Sequence, residues 1–318
     1  MIFGKRNLLF LSKILLLGIY LISCKRTDLK AIEDAPLLTI RFKDDIQQEI
    51  VLSKPPLRII SFSAQLTEVF VALGLTDQLV AVSDSYRGNL PESVVRFTPG
   101  NIQAEAELTT LNPDCVVYGL SSFLPDEKPN IGFWKRQNIP VITLQIEHLD
   151  NVWGNIQKIG TLTAKIQEAK VLQDSLQNIW KGITLQTKEL VRYSVIGLFS
   201  IEPLGALGKN HWLVEQLPNL GGRPANENIH GSFTAIQADS LLKWNPEYLL
   251  ILASNDQFLA NLISTYPVLD NLQAVEKKQF FQFLPTTTLV PSISSISTLV
   301  QIAQSLHTQV SLSNKKHP

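Results

Sequence analysis

The adjacent side chains of Tyr86 and Arg87 are the pair in this chain best suited to hold a small ligand. A tyrosine offers a rigid aromatic face and a hydroxyl, and an arginine offers a planar fork of donors for carboxylates or phosphates. The pair follows the apolar segment 79–82, which predicts a loop at the end of a strand. A solvated surface loop is the alternative interpretation of the same residues.

Catalytic motifs are absent from the sequence. It contains no Gly-x-Gly-x-x-Gly, no Walker phosphate loop and no Gly-x-Ser-x-Gly. The five histidines do not show metal-ligand spacing such as His-x-x-x-His. We therefore predict a protein that is not an enzyme and that carries neither a cofactor nor a metal ion of its own.

The composition is that of a globular chain large enough for two lobes. Its 318 residues are 45% hydrophobic and 18% charged, so a sizeable core can be buried. Lysines and arginines number 28, as do aspartates and glutamates, and no basic stripe is present, which predicts no nucleic-acid partner. Only Cys24 and Cys115 are cysteines, and the apolar run around Cys115 predicts a buried side chain.

The N-terminus has the pattern of an export signal. Basic residues precede an apolar run at 14–22, which is short for a membrane span. The stretch Leu21-Ile22-Ser23-Cys24 resembles the bacterial lipobox, in which the signal is removed and the cysteine carries lipid. We predict a signal peptide at 1–23, lipid on Cys24 and a flexible tether at 24–36, which would anchor an exported protein to a bacterial membrane on the periplasmic or cell-surface side. A plain signal peptide or an uncleaved anchor is the alternative.

Strands and helices alternate from residue 57 to residue 144. After a hairpin at 38–42 and 49–52, apolar strands are predicted at 58–62, 79–82, 114–118 and 140–144. Helices are predicted at 64–74 and at about 126–138. This alternation predicts a parallel sheet within an N-terminal α/β lobe over 37–148.

A long helical pattern follows, and the alternation then resumes. Apolar residues recur at steps of three and four over 149–189, which predicts one long connecting helix at 149–190, with a coiled coil as the alternative. Strands are predicted at 193–199, 248–252 and 279–284, and helices at 212–217, 236–243 and 293–306. The fold predicted is α/β: two α/β lobes, each with a central, mainly parallel sheet, with the second lobe at 191–318.

Four segments carry a resemblance to a known family. They are PPLRIISFSAQLTEVFVALGL at 55–75, Leu-Asn-Pro-Asp at 111–114, GALGKNHWLVEQLPNLGG at 205–222 and Trp-Asn-Pro-Glu-Tyr at 244–248. In this order, over about 37–307, the chain resembles the class III periplasmic binding proteins. These are ABC-transporter substrate-binding proteins with a single long helix between two lobes, and they receive iron–siderophores, haem or cobalamin.

The resemblance implies a monomeric, non-catalytic receptor. It would capture a metal chelate in the cleft between the lobes and deliver it to the permease of an ABC importer. A ferric siderophore ranks first as ligand, and cobalamin or haem is the alternative. Cobalamin ranks lower because Gly205 stands where an aromatic residue is common, and because threonines at 286–288 replace the acidic and aromatic residues of cobalamin binders.

The resemblance also assigns roles to individual residues. The ligand-binding side chains it implies follow strands or line the opposite wall, and they are Ser63, Gln65, Tyr86, Arg87, Phe233, Thr287 and Thr288. Glu68 and Asp239, each early in a helix, would dock against arginines of the permease; the alternative is that they are acids favoured by the helix dipole. An exported α/β hydrolase and a structural surface lipoprotein with a degenerate cleft are the alternatives from other classes.

Overall fold

The computed structural model describes residues 39–100, 102–122 and 130–308, with backbone only at 102, 104, 286 and 287. The predicted signal peptide, Cys24 and the tether lie outside the described residues. From Ile40 onward the described chain belongs to one compact unit. None of the helices in these ranges combines the length and the apolar character of a membrane span.

A parallel sheet forms the centre of the N-terminal lobe. The strands, with the preceding antiparallel hairpin of β1 and β2, are β1 (Ile40–Lys43), β2 (Glu49–Leu52), β3 (Ile59–Ser61), β4 (Leu79–Ser83), β5 (Val95–Phe97), β6 (Cys115–Leu120) and β7 (Val141–Gln145). The strands of the sheet lie in the order β5-β4-β3-β6-β7, and β3 and β6 are almost wholly buried because helices cover both faces. The helices are α1 (Ala64–Ala72), α2 (Ile102–Leu108), α3 (Ile131–Arg136) and α4 (Leu149–Leu162).

The hairpin turn is fixed to the sheet by a buried carboxylate. Asp44 is 1% exposed and accepts hydrogen bonds from the backbone N–H groups of Ile46 at 3.2 Å, Gln48 at 2.8 Å and Thr143 at 3.2 Å. The N–H of Asp45 donates to the carbonyl of Thr143 at 2.9 Å. The turn therefore joins the edge of the sheet at β7.

Replacing Asp44 with alanine should destabilise the fold, because it leaves up to three backbone donors without an acceptor. We expect a loss of about 2–3 kcal/mol in the free energy of unfolding. Asp174→Ala, which removes an exposed ion pair with Lys170, is the control and should change it by less than about 0.5 kcal/mol. Urea titration followed by circular dichroism measures both values, and equal effects of the two variants would contradict this role of Asp44.

One long helix joins the lobes as predicted, but its predicted bounds of 149–190 are wrong, because that segment holds two helices. Helix α4 ends at Leu162 and α5 (Ile166–Thr187) begins after a break in which Ala164 has a φ of 56°. A Cβ at Gly160 would lie 2.4 Å from that of Ala169, so the glycine lets α5 pack closely against α4. Helix α4 packs on α1, β1 and β7. Helix α5 alone makes the connection, spanning roughly 33 Å.

The C-terminal sheet is mainly parallel, with an antiparallel pair at one edge. Its strands are β8 (Tyr193–Ser200), β9 (Gly205–Leu207), β10 (Gly222–Pro224), β11 (Phe233–Ala235), β12 (Tyr248–Leu252) and β13 (Phe280–Phe283). They lie in the order β11-β9-β8-β12-β13, with β10 beside the start of β8, and β9 runs antiparallel to both β8 and β11. The helices are α6 (Trp212–Gln216), α7 (Ala238–Trp244), α8 (Phe258–Thr265), α9 (Gln273–Glu276), α10 (Pro285–Thr288) and α11 (Ile293–Leu306). The predicted α/β fold class is confirmed.

One of the buried apolar clusters contains residues from both lobes. Leu66 and Val69 of α1 belong to the same buried cluster as Leu299 and Val300 of α11. Helix α11 contacts both α1 and α5. Wide separation of the lobes would expose this apolar surface to water, at about 25 cal/mol per Å². The fold therefore favours small movements between the lobes.

Candidate functional site

The loop that carries Tyr86 and Arg87 leaves the carboxyl end of β4. In open α/β sheets ligands bind beside the carboxyl ends of the strands. Strand β5 holds this loop in place: the N–H of Asp84 donates to the carbonyl of Phe97 at 2.8 Å, and the Thr98 hydroxyl donates to the Asp84 carboxylate at 2.6 Å. The loop therefore has a fixed shape.

Arg96 is the main side chain that braces this loop, and the sequence prediction missed it. Its guanidinium donates to the carbonyl of Tyr86 and, at 2.7 Å, to that of Gly88. Its Cζ also lies 6.0 Å from the centroid of the Tyr86 ring, at the outer limit of a cation–π contact. The sequence signal is weak, because Arg96 is ten residues from Tyr86 in an unremarkable three-residue strand.

Arg96→Ala should weaken ligand binding indirectly, because Arg96 positions the loop that carries Tyr86 and Arg87. The loss of two hydrogen bonds frees the loop, and ordering it again on binding should cost about threefold to tenfold in affinity. Arg58, which likewise donates to backbone carbonyls, at Leu111 and Asn112, lies at the amino end of β3 and provides the control. Calorimetric titration of both variants tests this. A weaker affinity in Arg58→Ala than in Arg96→Ala would contradict it.

Tyr86 and Arg87 differ in accessibility. Tyr86 is 9% exposed, and burial, followed by the negative charge of Glu68, raises the pKa of its hydroxyl, so the phenol stays protonated at neutral pH and can donate a hydrogen bond. Arg87 is exposed, and its guanidinium makes no hydrogen bond or ion pair with the described part of the chain. Arg87 is thus the charged group of this loop with its donors available to a ligand.

Ser63 and Gln65 form a unit after β3. Ser63 is fully buried, and its hydroxyl donates to the side-chain carbonyl of Gln65 at 2.9 Å. Its backbone carbonyl accepts from the Thr67 hydroxyl at 2.8 Å. Gln65 is half-buried. Ser63 can therefore act on a ligand only through the orientation it gives to Gln65.

Aromatic side chains cover the corresponding face of the C-terminal lobe. The half-buried ring of Phe233 packs edge-on against Phe199 at 5.0 Å and against His211 at 5.0 Å. A Cβ at Gly205 would lie 2.6 Å from the ring of Phe199, so Phe199 fills the space above the glycine. Phe199, which the sequence prediction missed, supplies an aromatic group beside Gly205. Burial lowers the pKa of His211 to about 3, so this imidazole is neutral at physiological pH.

The threonines at 286–288 form most of the short helix α10. Thr288 is fully buried, its hydroxyl donates to the carbonyl of Leu284 at 2.9 Å, and its own carbonyl accepts from the indole of Trp212 at 2.8 Å. This structure thus uses Thr288 for packing, in disagreement with a ligand-lining role. The side chain of Thr287 lies outside the described residues.

The two acids predicted to dock differ in their surroundings. Asp239 is exposed in the first turn of α7, and no ion pair engages it in the described part of the chain. Glu68 is half-buried, and its carboxylate accepts a hydrogen bond of 2.9 Å from the backbone N–H of Ser294, at the start of α11 in the other lobe. The two carboxylates therefore are not equivalent.

Two further cavities are present. One of about 680 Å³ lies between α4 and α5, away from the predicted ligand-binding residues, with Trp153 and Trp180 in its wall. Another of about 430 Å³ lies beside β5 and α2, and Arg96 is one of its lining residues. Within residues 39–100, 102–122 and 130–308, no group of three or more His, Cys, Asp or Glu side chains could hold a metal ion.

Comparison with known proteins gives consistent results. A family model described as "Periplasmic binding protein" matches residues 59–285. An uncharacterized ABC transporter substrate-binding lipoprotein of Bacillus subtilis, YvrC, is 22% identical over 92% of this chain and 95% of its own length. The vitamin B12-binding protein of Vibrio cholerae is 22% identical over 79% of this chain and 91% of its own. A solved periplasmic solute-binding protein of Staphylococcus epidermidis, described as a possible iron-binding protein, superposes with a TM-score of 0.70 at 20% identity, covering 80% of this chain and all of that one.

Proposed function

Because the chain belongs to the periplasmic binding protein family, we propose that it is the lipid-anchored receptor of an ABC importer. It binds a metal chelate between its two lobes and delivers the chelate to the permease. Its relatives include proteins named as an ABC transporter substrate-binding lipoprotein and as vitamin B12-binding proteins. The lipid on Cys24 would keep the receptor at the membrane that holds the permease.

The observation that carries this proposal is the exposed guanidinium of Arg87 on a braced loop. Such a fork suits the anionic, oxygen-rich surface of a ferric siderophore, which we place first among ligands. The half-buried rings of Phe199 and Phe233 provide an apolar wall opposite it in the proposed site. Cobalamin or haem is the second candidate, supported by the named vitamin B12-binding relatives and by this aromatic wall.

A hydrolytic function has less support. A serine hydrolase needs a base beside its nucleophile. The hydroxyl of Ser63 donates instead to the Gln65 amide, and the family is one of substrate-binding proteins. We therefore place the hydrolase behind both receptor hypotheses.

The proposal is tested by calorimetric titration of residues 37–318 with a ferric hydroxamate, a ferric catecholate, haem and cyanocobalamin. One of them should bind with one-to-one stoichiometry at about micromolar affinity or tighter, which corresponds to about −8 kcal/mol. A ferric chelate that binds best would support the first ranking, and cobalamin or haem would reverse it within the family. Binding of none of the four would contradict a chelate receptor and favour a surface lipoprotein with a degenerate cleft.

A further inference from the structure

The contact between Glu68 and Ser294 joins the two lobes through a helix end. Ser294 is the second residue of α11, and the first N–H groups of a helix have no partner within the helix. The Glu68 carboxylate accepts one of them at 2.9 Å, where the helix dipole favours a negative charge. An acid of the N-terminal lobe thus caps a helix of the C-terminal lobe from 226 residues away.

The Glu68 carboxylate also influences the loop that carries Tyr86 and Arg87. Its negative charge is one of the causes that raise the pKa of Tyr86, so it lies within electrostatic reach of that hydroxyl. Arg87 is the next residue of the loop. Glu68 is therefore linked to Tyr86 through its charge and to the start of α11 through a hydrogen bond.

We propose that Glu68 is a latch between the lobes, released when the permease binds its carboxylate. This inference rests on the proposed function for the release step. A cation of the permease that pairs with Glu68 draws the carboxylate away from Ser294 and removes the cap. Docking would then loosen the lobes at the moment of delivery. The latch resists opening whether or not ligand is present, so it slows ligand entry and ligand exit alike.

A second polar contact between the lobes provides a control. The Nδ1 of His148 lies 3.3 Å from a carboxylate oxygen of Glu215, and these side chains are 53% and 37% exposed. Exposed ion pairs of this kind contribute little to stability. His148→Ala thus removes a polar contact between the lobes without touching Glu68.

The test uses Ser294→Pro, which removes the N–H and keeps the Glu68 carboxylate, because proline is tolerated in the first turn of a helix. Glu68→Ala is the second variant, in case the proline prevents folding. Spin labels at the exposed positions 92 and 256, one in each lobe, report the distance between the lobes in protein without ligand or permease. We expect both variants to broaden the distance distribution, and His148→Ala to keep that of the wild type.

Stopped-flow binding of the best ligand from the titration panel should show on-rates and off-rates raised about tenfold in both variants, with the dissociation constant within about threefold of wild type. Cellular uptake should persist in Ser294→Pro, which retains the docking carboxylate. Wild-type distances in both variants would overturn the latch. Because that measurement needs no ligand, it separates failure of the latch from failure of the proposed receptor function. Loss of uptake in a folded Ser294→Pro protein would overturn the release step.

Discussion

Replacing Glu68 and Asp239 together with alanine is expected to reduce uptake of the ligand by about tenfold or more, while the isolated protein keeps its affinity within about threefold. Exposed charges add little binding energy, but they set the register of two surfaces and steer their encounter. One acid lies on each lobe, so the double variant removes the proposed docking charge from both lobes. Each single variant should give an intermediate loss.

The control for this prediction is the pair Asp77→Ala and Asp270→Ala. Both carboxylates are exposed, one in each lobe. Asp77 directly precedes β4, and Asp270 precedes α9, which leads to the amino end of β13. This double variant changes the net charge equally and should transport at the wild-type rate. Uptake is measured with radiolabelled ligand in cells that lack the native receptor. Normal uptake by the Glu68 and Asp239 double variant would show that neither acid docks.

Arg87→Ala is expected to weaken ligand binding by about tenfold to a hundredfold. A hydrogen bond to a charged group contributes about 1.5–3 kcal/mol, and Arg87 has no other partner in the described chain. Arg87→Lys should recover only part of the loss, because lysine restores the charge but not the planar fork. Calorimetric titration measures the affinity of each variant.

The control for Arg87 is Arg223→Ala. Arg223 is exposed on β10, which pairs with the amino-terminal part of β8, away from the carboxyl ends of the strands. Its loss should leave affinity unchanged. Thermal unfolding of Arg87→Ala should match that of the wild type, since the exposed side chain makes no contact that stabilises the fold. Equal affinities of the Arg87→Ala and wild-type proteins would exclude Arg87 from the site.

The fold could be predicted because its periodic patterns are long and because the residues that end its helices are easy to recognise. The helix predicted over 293–306 has these bounds in the structure. The helix predicted over 64–74 ends at Ala72, and Gly74, with a φ of 70° in the left-handed region, follows it. The helix break at Ala164 could not be predicted from the apolar pattern. Apolar residues on both α4 and α5 face one core, so the steps of three and four continue across the break.

The site could be predicted only in outline. Loops after strands were identified, but the side chains that shape them come from elsewhere in the chain. Arg96 and Phe199 act across neighbouring strands, and such pairing is not visible in a single sequence. Thr288 has the composition of a cleft residue, yet its hydroxyl bonds to the carbonyl of Leu284 one helical turn earlier.

Binding between the lobes is tested most directly by titrating the best ligand of the panel into wild-type, Arg87→Ala and Phe233→Ala proteins. Arg87 and Phe233 belong to different lobes, so a ligand that touches both should lose affinity in each variant while stoichiometry stays at one. We expect losses of at least about tenfold for Arg87→Ala and about threefold to tenfold for Phe233→Ala. One-to-one binding at wild-type affinity in both variants would contradict a site between the lobes and direct attention to the cavity of about 680 Å³ beside Trp153 and Trp180.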